Sequence, residues 1–207
     1  MTLPDTPYLF IEDFIDKEYC DLLLSHLMPN KEVDPRVGFN GYGIGGKRDF
    51  IGLDEPKARD WDPENKIHEF VIFAHQYFLD NFPMVGEFEL NRVHGNFMFP
   101  GAILNDHYDD RNQPGTNNPD EAFPIESIAH RTHVAGLFLT DDYEGGETCF
   151  VEHNISVRPK AGSIYLFPGY FTQHGVREVT SGCRVNILAQ FFDVVDRDRI
   201  EEKYRVS

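Results

Sequence analysis

From Phe88 onward the chain runs as short segments rich in Phe, Val and Ile, cut by Gly, Pro, Asn and Asp, with little helical periodicity until its end. Such segments have no continuous helical stripe to bury, so they must pair across turns as a β-sandwich or barrel. Strands are predicted near 87–94, 95–100, 104–109, 131–140, 147–151, 154–158, 163–168, 172–177 and 183–193. Residues 110–130, "DRNQPGTNNPDEAFPIESIAH", hold three Pro and four acidic residues and read as a surface insertion.

The first 86 residues read differently. "YLFIEDF" (8–14) suits a short strand, and a helix is predicted from Asp16, as N-cap, to Met28, with Tyr19, Cys20, Leu23, Leu24 and Leu27 on one face and Pro29 ending it. Residues 34–60 include "RVGFNGYGIGGKRDF", a Gly-rich stretch that suits a long loop or loose hairpin and lacks the spacing of a phosphate-binding loop. A second helix is predicted with Asp62 as N-cap and Pro63 in its first turn, burying Ile67, Phe70, Val71, Ala74, Tyr77 and Phe78, with His68 and His75 as surface or packing residues.

At 207 residues the chain can close one sizeable core. It is expected to form a single domain over 1–207, with helical support over about 1–86 and a β core over about 87–195. A formal charge of −16 opposes phosphate-driven nucleic-acid binding. Three widely spaced cysteines without a CxxC indicate neither a disulfide framework nor a thiolate zinc site. The N-terminus has no basic region followed by an apolar run, and no stretch approaches the ~20 apolar residues of a membrane span, so a cytoplasmic protein with no membrane partner is predicted.

"LNDHYDDRN" (104–112) poses the chemical question. It reads either as a solvated turn, with Asp106 and Asp110 as turn residues, or as half of a metal site. In an extended segment His107 and Asp109 would share a face and Tyr108 would point the other way. A third ligand is available at His174, at the end of "SIYLFPGYFTQH". Two imidazoles and one carboxylate make the facial triad that leaves open positions on iron. A 2-oxoacid and O2 can fill those positions, and a distal carboxylate on the oxoacid would need a fixed cation. Arg184, opening the alternating strand "RVNILAQFF" with Asn186, Leu188, Gln190 and Phe192 on its inward face, can supply one.

These motifs in order resemble the iron(II)/2-oxoglutarate-dependent oxygenases, most closely the prolyl 4-hydroxylase branch. "LFIEDFIDKEYCDLLLSHL", the "HYD" at 107–109, "LFLTDDYEGGETCF", "VRPKAGSIYLFPG" and "HGVREVTSGCRVNI" match that branch in sequence order. The resemblance implies a mainly β (α+β) fold, a double-stranded β-helix of jelly-roll or cupin type with N-terminal supporting helices. It implies Fe(II) on His107, Asp109 and His174, 2-oxoglutarate on Arg184, O2 as oxidant and ascorbate as reductant. The expected reaction is hydroxylation of a prolyl residue in a peptide or protein, with release of succinate and CO2. A free amino acid or small metabolite is the alternative substrate, and a non-catalytic binding module is the non-enzymatic reading. Arg131 is expected to face the substrate, and His133, nearest the presumed cavity, to touch it.

The chain departs from that pattern in three places. The tyrosine usual about nine residues before the first ligand falls near Met98, a second tyrosine used by some members is Phe138, and the basic residue is Arg where many members have Lys. The missing hydroxyl is expected to be replaced by Tyr165 or Asn186. Gln190 stands where nucleic-acid demethylases carry a second Arg, and Asp109 argues against halogenase chemistry. The glycines of "EGGET" are expected to serve turn conformations.

Overall fold

In the computed structural model, residues 8–33, 44–45, 48–53, 60–82, 87–109, 131–169 and 172–194 are described. The elements in order are β1 (Leu9–Ile11), α1 (Lys17–Asn30), β2 (Glu32–Val33), β3 (Ile44–Gly45), β4 (Arg48–Gly52), α2 (Lys66–Asn81), β5 (Glu87–Met98), β6 (Ile103–His107), β7 (Arg131–Phe138), β8 (Glu144–Gly145), β9 (Thr148–Phe150), β10 (Ile155–Val157), β11 (Ile164–Phe167), β12 (His174–Val176), β13 (Val179–Ser181) and β14 (Arg184–Val194).

The strands form a seven-stranded major sheet, β1-β11-β7-β14-β5-β4-β2, and a five-stranded minor sheet, β10-β9-β12-β6-β3, with β13-β8 as a separate ribbon. All the pairings are antiparallel. From β5 onward the chain lays β5, β7, β11 and β14 in the major sheet and β6, β9, β10 and β12 in the minor one, which is the winding of a double-stranded β-helix. The 1–86 stretch does more than support it: β1 pairs with β11 and β4 with β5, so its strands extend the major sheet.

The two-residue period of β14 sorts its side chains between two cores. Val185, Ile187, Ala189 and Phe191 join Ala135 and Leu137 of β7 in the large cluster with Leu23 and Leu27 of α1 and Phe70 and Phe78 of α2. Arg184, Asn186 and Gln190, on the opposite parity, point between the sheets and are also buried. There a smaller cluster of Val134, Phe138, Phe150, Tyr165 and Phe167 joins the two sheets. Each fully buried Phe or Leu contributes about 1.5–3 kcal/mol relative to exposure.

α1 starts where expected, with Asp16 Oδ1 accepting from Tyr19 N at 2.7 Å. It runs through Pro29 to Asn30 instead of stopping before the proline. A proline this close to the C-terminus forfeits one backbone donor, and Asn30 Nδ2 and Lys31 Nζ cap the carbonyls of His26 and Met28.

The start of α2 shifts too. The helix begins at Lys66, after Asn65 at φ 58°, not at Asp62. Asp62 still serves its N-terminus from upstream, accepting from Lys66 N and Ile67 N at 2.8 Å each and from Tyr19 Oη at 2.5 Å. That carboxylate pins α2 to α1, and burial together with the bond pushes the Tyr19 phenol up to about 12.

The two strands expected at 87–94 and 95–100 are one twelve-residue strand, β5. Gly95 does not break it: a Cβ there would stand 2.9 Å from Ile51 Cγ2 on β4, so the glycine serves a close approach. The predicted insertion at 110–130 and most of the Gly-rich loop at 34–60 lie outside the described residues. Among the described residues no helix is long and apolar enough to cross a membrane.

Candidate active site

β6 ends at His107, so strand alternation does not by itself place Asp109 beside it. Asp109 is set by a turn: its backbone N donates to Gly169 O at 2.9 Å, and a Cβ on Gly169 would stand 2.2 Å from Asp109 Oδ2. Only glycine at 169 lets that segment close over the carboxylate. His174 opens β12 directly across from His107, with ring centroids 4.3 Å apart. Gly175 does for the next position what Gly169 does for Asp109, since a Cβ there would meet Asp106 Oδ1 at 2.4 Å.

The result brings His107, Asp109 and His174 together, one ligand atom from each lying within 4.8 Å of the others. His107 Nε2 is 3.7 Å from Asp109 Oδ1. Each imidazole has its Nδ1 against a backbone carbonyl two residues earlier, His107 on Asn105 O at 2.8 Å and His174 on Thr172 O at 2.9 Å. A carbonyl only accepts, so Nδ1 carries the proton and the lone pair sits on Nε2, the atom that could bind a metal. Burial holds His174 down to about 4 against the opposing pull of Asp109, which keeps the ring neutral near pH 7.

Outside this triad a second layer of contacts locks the ligand-bearing segments. Asp106 accepts Arg177 Nη1 at 2.8 Å and Nη2 at 3.3 Å. Tyr108 donates its hydroxyl to Glu152, whose other oxygen accepts Gln173 N at 3.5 Å. Asp106 is thus a brace rather than a solvated turn residue.

Arg184 is 1% exposed on the inner face of the major sheet. Its Nη2 donates to Thr148 Oγ1 at 3.0 Å, Nη1 lies 3.4 Å from Asn186 Oδ1 and 3.7 Å from Met98 Sδ, and its Cζ stands 5.0 Å from the centre of the Phe138 ring. Asn186 is itself held by Asn96 Nδ2 at 2.8 Å. Among the described residues Arg184 has no carboxylate partner, its Nε has no hydrogen bond, and the nearby Tyr143 Oη has no acceptor for its proton. A buried cation without a counter-charge is costly, so this pocket is built to receive an anion.

Tyr165 covers Gly136, where a Cβ would lie 2.7 Å from the ring. Its phenol, in the field of Arg184, is nonetheless pushed up to about 12 by burial. Met98 and Phe138, the two positions that depart from the expected tyrosines, both touch Arg184. Thr148 and Tyr143 were not singled out by sequence. Their signal was available in "DDYEGGET", whose Gly145 and Gly146 do take φ 69° and 67° as a turn requires. The same turn also delivers Thr148 to the guanidinium.

His133 does not reach this space. It lies on the helix-facing parity of β7, ringed by Phe78, Phe82 and Phe88 at centroid distances of 4.7, 5.3 and 5.2 Å. The side chain of Arg131 lies outside the described residues.

Full burial holds the His133 imidazole down to about 3. The unfolded chain, with a histidine near 6.5, binds this proton first, so stability is full above about pH 6.5 and falls as pH drops toward 3. Urea unfolding from pH 7 to 5 should show the wild type losing up to about 1.4 kcal/mol per pH unit more than His133→Leu. Equal slopes would remove His133 as the cause.

No family model matches the chain. A 67-residue stretch, 30% of this chain, is 37% identical to human prolyl 3-hydroxylase 2 but spans only 10% of that protein. Three solved structures align over nine-tenths of the chain. A viral collagen prolyl hydroxylase from Paramecium bursaria Chlorella virus-1, in complex with 2-oxoglutarate, has a TM-score of 0.64 at 18% identity, covering 92% of this chain and 98% of that one. A Pseudomonas putida prolyl-4-hydroxylase has 0.61 at 16%, covering 92% and 95%. HygX from Streptomyces hygroscopicus, with nickel, 2-oxoglutarate and hygromycin B bound, has 0.60 at 12%, covering 91% and 84%. At these identities the likeness establishes the fold.

Proposed function

We propose that this chain, which has the double-stranded β-helix of the iron(II)/2-oxoglutarate oxygenases, is a 2-oxoglutarate-dependent dioxygenase that hydroxylates a prolyl residue in a peptide or protein. The observation that carries the reading is the pairing of two preformed features: a His-Asp-His cluster whose imidazoles both turn Nδ1 to a backbone carbonyl, and a buried arginine with no carboxylate partner among the described residues. Its prolyl substrate is supported by two solved relatives named as prolyl hydroxylases and by the short match to prolyl 3-hydroxylase 2.

In this reading His107, Asp109 and His174 hold Fe(II), and Arg184 takes the distal carboxylate of 2-oxoglutarate. The bound metal supplies oxidative decarboxylation of the oxoacid by O2, giving succinate and CO2 and one oxygen atom for the substrate C–H bond. The protein's share is orientation and exclusion of water. The Asn105 and Thr172 carbonyls fix the imidazole tautomers, Thr148 and Asn186 aim the guanidinium, and Phe138, Phe150 and Phe167 keep the inter-sheet space dry. Ascorbate as reductant and a cytoplasmic location complete the proposal.

A small-molecule substrate is the second reading, favoured by HygX, which holds hygromycin B on the same fold. Incubation with Fe(II), ascorbate, 2-oxoglutarate and either proline-rich peptides or free amino acids should give succinate and a peptide heavier by one oxygen. Oxygen added only to a free amino acid would shift the assignment to the second reading. No succinate with any substrate, and no metal bound, would overturn both.

A further inference from the structure

Met98 faces Arg184 across the β5–β14 register, and a thioether has no proton to give a carboxylate. The donor that the resemblance places there is therefore missing, while a buried hydroxyl close by has no acceptor for its proton. Tyr143 is 1% exposed, and its Oη lies beside the Arg184 guanidinium, which can only donate to it. Tyr143 and Arg184 flank the same glycine: a Cβ on Gly146 would stand 3.1 Å from both Arg184 Cδ and Tyr143 Cε2.

The chemistry of the two groups leaves one outlet for the phenol's proton. A guanidinium offers donors only, so Arg184 cannot accept it. Burial raises the Tyr143 phenol more strongly than the Arg184 charge lowers it, so the group is a protonated donor at neutral pH. A buried hydroxyl whose proton has no acceptor, next to a buried cation with no carboxylate among the described residues, fits an anion that satisfies both. Thr148 Oγ1 and Asn186 Oδ1 accept from Arg184 and so fix the guanidinium beside this hydroxyl.

We propose that Tyr143 donates its hydroxyl proton to the distal carboxylate of the 2-oxoacid held by Arg184, replacing the donor that Met98 cannot supply. The assignment rests on the function proposed above.

The test is Tyr143→Phe, with dissociation constants measured by calorimetry on the Fe(II)-loaded protein under anaerobic conditions. Two ligands are compared: 2-oxoglutarate, and pyruvate, which shares the 2-oxoacid end but lacks the distal carboxylate. The variant should bind 2-oxoglutarate roughly tenfold more weakly or worse, as loss of a hydrogen bond to a charged group implies. Pyruvate affinity should stay as in the wild type, and the Tm of the metal-free protein should hold or rise, because the deleted hydroxyl's proton has no acceptor there.

Unchanged 2-oxoglutarate affinity overturns the assignment. So does an equal loss for both ligands, or a fall in Tm, either of which makes the hydroxyl structural. Wild-type protein that takes up no 2-oxoglutarate sinks the functional reading along with this one, whereas intact wild-type binding with no change in the variant sinks this one alone.

Discussion

Asp109→Ala is expected to abolish stoichiometric Fe(II) or Co(II) binding at neutral pH, and with it succinate formation, while the protein still folds. Asp109 is the carboxylate of the cluster, and the two imidazoles left behind would face a divalent cation with no negative charge. Affinity should fall by more than the roughly 10–100-fold that loss of an outer contact to a metal ligand costs. Folding should survive because the turn is held by the backbone, Asp109 N on Gly169 O, which alanine keeps. Metal titration followed by Co(II) absorbance reads the loss directly, and a variant that binds the metal as tightly as wild type would dismiss Asp109 as a ligand.

Arg184→Met is expected to move binding and stability in opposite directions. The guanidinium is buried among Phe138, Met98, Thr148 and Asn186 with no carboxylate among the described residues. Exchanging a buried charge for an apolar side chain of similar length is often neutral or stabilising, so the Tm of the ligand-free protein should hold or rise. Affinity for 2-oxoglutarate should drop by about 2–5 kcal/mol, the usual cost of truncating one partner of a buried charge pair. Calorimetry beside a thermal melt checks both arms; intact 2-oxoglutarate affinity would place the anion elsewhere.

How much of this was legible in the sequence depended on whether a residue's role was local. The N-cap at Asp16, the inward parity of Arg184, Asn186 and Gln190, and most strand positions of the β core follow from periodicity and short-range bonding, and the structure has them. The helix start at Lys66 did not follow, because Asp62 caps it from outside the helix with Tyr19 as a partner 43 residues away.

His133 illustrates a different gap. Lying on a strand beside the presumed cavity says nothing about which face of β7 a side chain takes, and odd parity sends it under α2. Thr148 and Tyr143 were obscured by a turn whose glycines already had a sufficient conformational reason to be there. Gly169 and Gly175 carry the opposite lesson: their necessity lies in Asp109 and Asp106, carboxylates about sixty residues upstream that only the assembled sheets bring into contact.

The two histidines of the cluster belong to the minor sheet and Arg184 to the major one, with the Thr148–Arg184 bond as a tie between them. A dicarboxylate gripped at one end by the metal and at the other by Arg184 would act as a staple through the sandwich. At a hundred times its dissociation constant it would add about 2.7 kcal/mol to the folded state. Amide exchange should then slow on β6 and β12 as much as on β14, so that occupancy of the site is written into the stiffness of both walls.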